Sequence, residues 1–308
     1  MRPTRGELDV EDRASLRRYL QAGDVVVDAA GPFQRRTTAL LEAAMERGAH
    51  VVDINESLGY ARRVDALRER IDRGGIAVLS ACSAVSTVAA TLVRRSGVGA
   101  PVRVGALVAP ASRQTAHAAT LQALLSSVGA PIEVWRGGRF ATARGWRESR
   151  RFVLPRRRAY LVESVLSFDL PRVWPSLRDV DTWTDTSTPA ANAILSLAAR
   201  VPAARTIALA AAPAGALLAA ALGTRRGGFG LEIEDASGEV RRAWLGAPRG
   251  SFRIAAAPAA LAALALASGR FEGRGLVPAD RHLDADVLLS YLGRIGTVLV
   301  TIPRAESA

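Results

Sequence analysis

The sequence predicts an α/β fold, a parallel sheet interleaved with helices and followed by a second, mixed α+β region. Three observations predict it. Short, continuous apolar runs occur at residues 24–30, 50–54 and 76–79, the pattern of strands buried on both faces. Helical stretches of 10 to 16 residues separate them, which implies βαβ units with right-handed crossovers. After Gly97 the texture changes to alternating segments around Gly-containing turns, the signature of hairpins.

In order along the chain, residues 11–22 read as a helix with Leu16, Tyr19 and Leu20 on one side. The run 24–30 is bounded by Gly23 and Gly31-Pro32. Residues 37–47 carry Leu40, Leu41, Ala44 and Met45 at helical spacing, 58–73 form a charged amphipathic helix and 86–95 another helix. Beyond Gly97, 101–110 reads as a strand and 115–128 as a helix. Residues 132–135 and 140–143 flank Gly137-Gly138 as a hairpin, 151–154 reads as a strand, and 229–234 with 240–245 form a hairpin around Asp235-Ala236-Ser237-Gly238. An Ala- and Leu-rich helix at 258–268 and an amphipathic segment at 284–292 close the chain. The expected division is 1–98, an α/β domain; 99–255, an α+β domain; and 256–308, helices returning to the first domain.

The chain has 308 residues, 49 % of them apolar and 23 % charged, a globular composition that excludes disordered or collagenous classes. The net charge is +12, and every basic side chain is Arg. Without Lys there is no Schiff-base amine, Walker-type phosphate lysine or ammonium general base. The one Cys, Cys82, excludes an intrachain disulfide framework and a cysteine-rich zinc site. Residues 1–10 lack the apolar core of a signal peptide, so a cytoplasmic location is expected. The stretch 207–223 falls short of a membrane span and is interrupted by Pro213 and Gly215, so a buried or interface helix is expected there, with a lipid-surface contact of the 207–222 helix as the lesser alternative. The densest basic run, Arg150, Arg151, Arg156, Arg157 and Arg158, lacks the interleaved aromatics of base-stacking modules. No nucleic-acid partner is expected, and the Lys-free, Arg- and Ala-rich usage reads as a bacterial-type codon bias. No spacing of His and carboxylates matches a metal site.

The segment Asp24-Val25-Val26-Val27-Asp28-Ala29-Ala30-Gly31-Pro32-Phe33, with His50-Val51-Val52-Asp53-Ile54, resembles the saccharopine dehydrogenase-like oxidoreductases. In that family a strand ending A-G-P-F is the fourth of a dinucleotide-binding domain and leads into the loop beside the nicotinamide ribose. Residues 79–92 resemble the loop and helix after its sixth strand. Arg113, Ala118-Ala119-Thr120, Val128-Gly129, Trp135, Gly138 and Gly145-Trp146 fall where its second domain begins and forms hairpins, and 273–278 with 284–292 resemble its closing segment.

One departure stands out. Such domains open with a strand, a G-x-G-x-x-G turn and a helix that holds the pyrophosphate. Only 27 residues precede Asp28, fewer than one βαβ unit takes, and Gly223-Thr224-Arg225-Arg226-Gly227-Gly228-Phe229-Gly230 precedes a hairpin rather than a helix. The expectation is therefore a truncated doubly wound, Rossmann-like sheet with Val25, Val26 and Val27 on an open edge, a liability that proteins cover. An upstream segment, a separate chain or a rearranged, dimeric packing would complete it.

The resemblance places Asp9 and Val10 at the adenine end, with a helix N-cap as the rival reading of Asp9. Ala30, Gly31 and Pro32 offer unencumbered backbone to a cofactor, Phe33 would wall the nicotinamide or enter the core, and Asp53 would orient substrate or cap the next helix. Asn55 and Glu56 follow it. Catalytic candidates are His117, Arg113 as an anion clamp, and Cys82, which would need a His partner. The function expected is an NAD(P)-dependent oxidoreductase acting on a small carbonyl, imine or secondary amine. Its cofactor would be NADP or NAD, provided the missing unit is supplied, and the protein would be a homodimer. The alternative is a non-catalytic remnant or subunit that keeps the dimerising domain.

Overall fold

The computed structural model describes residues 8–115 and 124–302. Helix α1 (Arg13–Tyr19) starts at Asp12, whose carboxylate accepts from the amides of Ala14 and Ser15. Strand β1 (Val25–Asp28), helix α2 (Ala39–Arg47), strand β2 (His50–Asp53), helices α3 (Leu58–Asp65) and α4 (Arg68–Arg73) and strand β3 (Ala77–Leu79) then alternate as two βαβ units. Helix α2 ends at Gly48, whose φ of 71° is the left-handed conformation a C-terminal cap uses. The single helix expected over 58–73 is two, because the chain tightens into an i−3 turn at Leu67.

The strands of this first sheet are parallel, in the order β1-β2-β3-β12. The fourth strand, β12 (Gly275–Leu276), returns from the far end of the chain to pair with β3. Strand β1 pairs with β2 alone among the described residues, so it is an edge, and Val27 is 47 % exposed. Alternation divides the sheet's two faces. Val51 and Val78 pack with Leu16, Leu41, Tyr60 and Ile71, whereas Val52, Ala77 and Leu79 pack with Ala259, Ala262 and Leu266.

Beyond β3 a wide π turn (Ala84–Val88) leads into α5 (Ala89–Arg95), where one continuous helix was expected. The second sheet has nine strands, in the order β13-β11-β10-β4-β9-β5-β6 with β7 and β8 branching from β9. Its members, with the helices among them, are β4 (Pro101–Ala109), α6 (Ser112–Thr115), β5 (Pro131–Arg136), β6 (Arg139–Arg144), β7 (Ser149–Phe152), β8 (Arg157–Val162), α7 (Leu166–Val173) and β9 (Asp179–Thr184). The helix expected over 115–128 lies largely outside the described residues. Helices α8 (Pro189–Ala198) and α9 (Pro202–Leu222) follow, then the hairpin β10 (Gly227–Asp235) and β11 (Val240–Ala247). Helices α10 (Phe252–Ala267) and α11 (Ala285–Arg294) and strand β13 (Val298–Ile302) end the chain.

One core joins the two sheets. Val88, Leu92 and Val93 of the α5 region pack with Val104, Phe229, Leu231 and Leu245 of the second sheet and with Leu288 and Leu292 of α11. Helix α10 begins in that core with Ile254 and Ala257 and ends in the first sheet's core with Ala262 and Leu266. The C-terminal segment therefore serves both sheets: α10 and β12 belong to the first, β13 to the edge of the second.

Candidate functional site

Parallel strands deliver their next residues to one edge of the sheet, and ligands of open α/β sheets bind there. At the end of β1, Asp28 is 2 % exposed and takes both Nη atoms of Arg36 at 3.2 and 3.0 Å. Arg36 also donates to the Ala30 carbonyl and to Glu11. This buried guanidinium fixes the loop Ala29–Pro32. A Cβ built on Gly31 would meet nothing within 4 Å, so the backbone here is open on one side. Phe33 is 2 % exposed and meets the Tyr60 ring edge-on at 5.1 Å, so it anchors the loop in the core while its rim reaches the cleft.

Asp53 closes β2, but its carboxylate is turned to backbone. It accepts from the amides of Asn55 (3.0 Å) and Ala81 (2.7 Å), and Ala81 is held at φ 56°. Burial pushes Asp53 up to about 6. Cys82 is wholly buried and its thiol is pushed up to about 12 by that burial, which keeps it protonated at neutral pH. The buried imidazole of His282 serves another purpose: its Nδ1 is 2.8 Å from the Thr87 hydroxyl and its Nε2 is 3.0 Å from the Val277 carbonyl. Burial brings His282 down to about 4, so it is neutral.

Arg113 is exposed and donates to the Ala220 carbonyl at the end of α9, outside the cleft. His117 lies outside the described residues. Asp9 accepts from the Glu11 amide in the turn before α1 and lines a shallow surface hollow with Asp12, Ser15 and Tyr19, while Val10 packs on the first sheet's core.

The structure brings Gly31, Pro32 and Phe33 together with residues absent from that set. A cleft of about 520 Å³ separates the edge of the first sheet from the face of the second. Ala29, Gly31, Ile54 and Glu56 form one wall; Ile132, Val162, Glu163, Thr182 and Thr184 form the other. Glu56 is exposed to the cleft yet enclosed by its walls. That enclosure raises its pKa above the ordinary carboxylate value, opposed by the Gln34 amide 3.4 Å away. Glu163 is raised for the same reason, opposed by the hydrogen bond it accepts from the Glu133 amide at 3.2 Å. Thr182 Oγ1 is buried and has no hydrogen-bond partner among the described residues. Two carboxyls that retain protons more readily than usual, beside an open glycine loop, are suited to proton transfer at a bound small molecule.

Residues 2–79 match the family model described as the saccharopine dehydrogenase NADP-binding domain. Among solved structures, the L-Glu-forming saccharopine dehydrogenase of Saccharomyces cerevisiae aligns over 96 % of this chain and 88 % of its own, at 15 % identity and a TM-score of 0.55. The likeness by sequence is confined to residues 2–79, which resemble that NADP-binding domain. At that identity the yeast structure speaks for the fold of this chain and not for its activity or substrate. A Klebsiella pneumoniae structure described as an oxidoreductase aligns over 96 % of this chain and 81 % of its own at 12 % identity, but its TM-score of 0.32 carries no argument. No curated protein matches the sequence.

Glu56 follows β2 at the ligand edge, so its position was available from the strand pattern. Glu163 and Thr182 were not, because β8 and β9 lack a clean period in the sequence: Arg157–Val162 and Asp179–Thr184 mix charges with buried aromatics.

Proposed function

We propose that this protein is an NAD(P)-dependent oxidoreductase that transfers hydride between a nicotinamide and a small carbonyl, imine or secondary amine. The observation that carries the reading is the open Gly31 loop at the end of β1, facing a cleft that the second sheet closes and that holds Glu56 and Glu163. The match of residues 2–79 supports a nicotinamide dinucleotide as cofactor. When bound, the cofactor supplies or accepts the hydride.

The residues present fit the nicotinamide end. Ala29, Gly31 and Pro32 would meet the ring and its ribose through backbone, and the apolar wall of Ile132 and Val162 excludes water from the reacting atoms. Glu56, on the same lip as Gly31, is the group we assign to give a proton to a carbonyl oxygen or imine nitrogen and to take it back in reverse. The sequence holds no G-x-G-x-x-G turn to cradle a pyrophosphate. In this reading the free edge of β1 accepts one more parallel strand carrying such a turn, from an upstream segment or another chain, and two copies of the protein pair through the second domain.

Titration with NADPH of the protein isolated together with the segment or chain that completes the β1 edge, read by cofactor fluorescence, tests the reading. Saturable enhancement is expected, with Gly31→Leu weakening binding by at least about tenfold, since its side chain fills the open face. Once a substrate is found, Glu56→Gln lowers kcat by roughly 100-fold with KM nearly unchanged. Unchanged NADPH fluorescence would sink the enzyme and favour the other reading, a non-catalytic subunit that keeps its dimerising domain.

A further inference from the structure

Helices α8 and α9 form an arm whose outer surface is apolar. Helix α9 rests on α6 and α8, yet Ile207, Leu217, Leu218 and Leu222 are exposed, Leu217 to 73 % and Leu222 to 81 %. Ile194 and Leu197 of α8 extend the same exposed character. A water-facing helix ordinarily carries charge on its outer side, and monomers seldom show contiguous apolar patches above a few hundred Å². Helix α9 contains one ionisable residue, Arg205.

The charge pattern around the arm narrows what covers it. From Asp185 to Glu232 no acidic residue intervenes, and the only charged residues are Arg200, Arg205, Arg225 and Arg226. At the C-terminal end of α9, Arg113, Arg225 and Arg226 are exposed, and none of them has a carboxylate partner among the described ion pairs. A second copy of the chain docking by two-fold symmetry would set such a surface against itself, with no acid in the segment to receive the arginines. Anionic headgroups meet both requirements: acyl chains cover the leucines, and phosphates receive the guanidinium groups. The helix is bent by 61° between 202–208 and 213–222, with Pro213 opening the second part, and among the described residues no single helix is long and apolar enough to cross a membrane.

We propose that the α8–α9 arm docks the protein onto anionic lipid surfaces. Helix α9 inserts its apolar side at the headgroup boundary, and the arginines at its end engage lipid phosphates. The arm shares a packing cluster with Leu124 and Val162, which also line the cleft, so docking sets the cleft beside the membrane.

Vesicle flotation of the full chain decides this, and it needs no cofactor, so its result is separable from NADPH binding. With vesicles of phosphatidylcholine and phosphatidylglycerol, the bound fraction is expected to exceed that on phosphatidylcholine alone by at least about tenfold and to fall as salt is raised. L217E/L218E and R225E/R226E should each lower it by at least about tenfold, with the far-UV circular dichroism of the wild type retained. Protein left in the soluble fraction with the anionic vesicles, or flotation that survives both double variants, overturns the proposal. So does a dimer in solution that L217E/L218E splits, which would make the face an interface between copies.

Discussion

Helices α9 and α10 are close in chemistry and opposite in fate. Both are rich in Ala and Leu, contain no acid, and carry an interior proline, Pro213 in one and Pro258 in the other. Helix α10 lies against β1 and β2, where Ala259 is 2 % exposed and Ala262 fully buried. Helix α9 has α6 and α8 on one side and solvent on the other. Helical propensity and apolar content dictate that each segment forms a helix that avoids water. What covers it is decided by topology, because α10 follows a hairpin that returns the chain to the first sheet and α9 does not.

The sharpest way to break the comparison is to place one charge on each helix. Ala262→Asp puts a carboxylate against Val52 and Leu79 with no partner, and should cost at least about 4 kcal/mol or prevent folding. Next in size is Arg36→Met. It leaves Asp28 buried beside the end of β1 without its guanidinium, a loss of roughly 3 kcal/mol in urea unfolding. It also frees the Ala30 carbonyl, so NADPH binding should weaken in parallel. A variant as stable as the wild type would show that the pair does not hold the loop.

The same contrast explains how much of the molecule could be read in advance. The first sheet was legible because its strands are short apolar blocks between amphipathic helices: the runs at Val25–Asp28, His50–Asp53 and Ala77–Leu79 fall within one or two residues of their expected bounds. The hairpin β10–β11 was legible through its Asp-Ala-Ser-Gly turn. Strands β8, β9, β12 and β13 were not. Strand β12 is two residues long, and β8 buries Ala159, Tyr160 and Leu161 in succession, which obeys no strand period. At the cleft, Gly31, Pro32 and Phe33, named from a strand ending at the ligand edge, are among the lining residues. Glu163 directly follows β8 and so was missed with it. Exposure of α9 could not be read, since an apolar helix looks the same in sequence whether protein or something else covers it.

A smaller effect, of distinct pH signature, comes from the buried side of the molecule. Asp169 on α7 accepts a hydrogen bond from Ser86 and faces a cavity of about 320 Å³ shared with Arg68 and Arg172. Burial raises its carboxyl to about 7, against an ordinary value near 3.9. The folded state therefore holds the proton more tightly than the unfolded state. The stability this group confers is complete below about pH 4 and is lost as pH rises through about 7. Asp169→Asn removes that loss. The variant should be more stable than the wild type at pH 8 by roughly 1–2 kcal/mol, part of the shift being screened because the cavity opens to solvent, and no more stable at pH 4. Asp53, itself raised to about 6, adds its charge to the groups that push Asp169 up. Equal stability at both pH values would show that the carboxyl is hydrated.

The smallest expected effect is the most informative about α9. Leu217 and Leu222 are exposed on the described surface, so in lipid-free buffer neither loses burial when changed. Leu217→Glu and Leu222→Glu should each shift stability by less than about 0.5 kcal/mol, against the collapse expected of Ala262→Asp on its twin. The comparison is strictest by urea midpoint at several protein concentrations. A patch closed by a second copy would make the wild-type midpoint rise with concentration and the variant's stay flat, because association stabilises only what it binds. A patch reserved for a surface absent from the tube leaves both midpoints level and equal. In that case the leucines of α9 contribute nothing to the folded chain by itself, and their apolar character has to be explained by what the arm meets elsewhere.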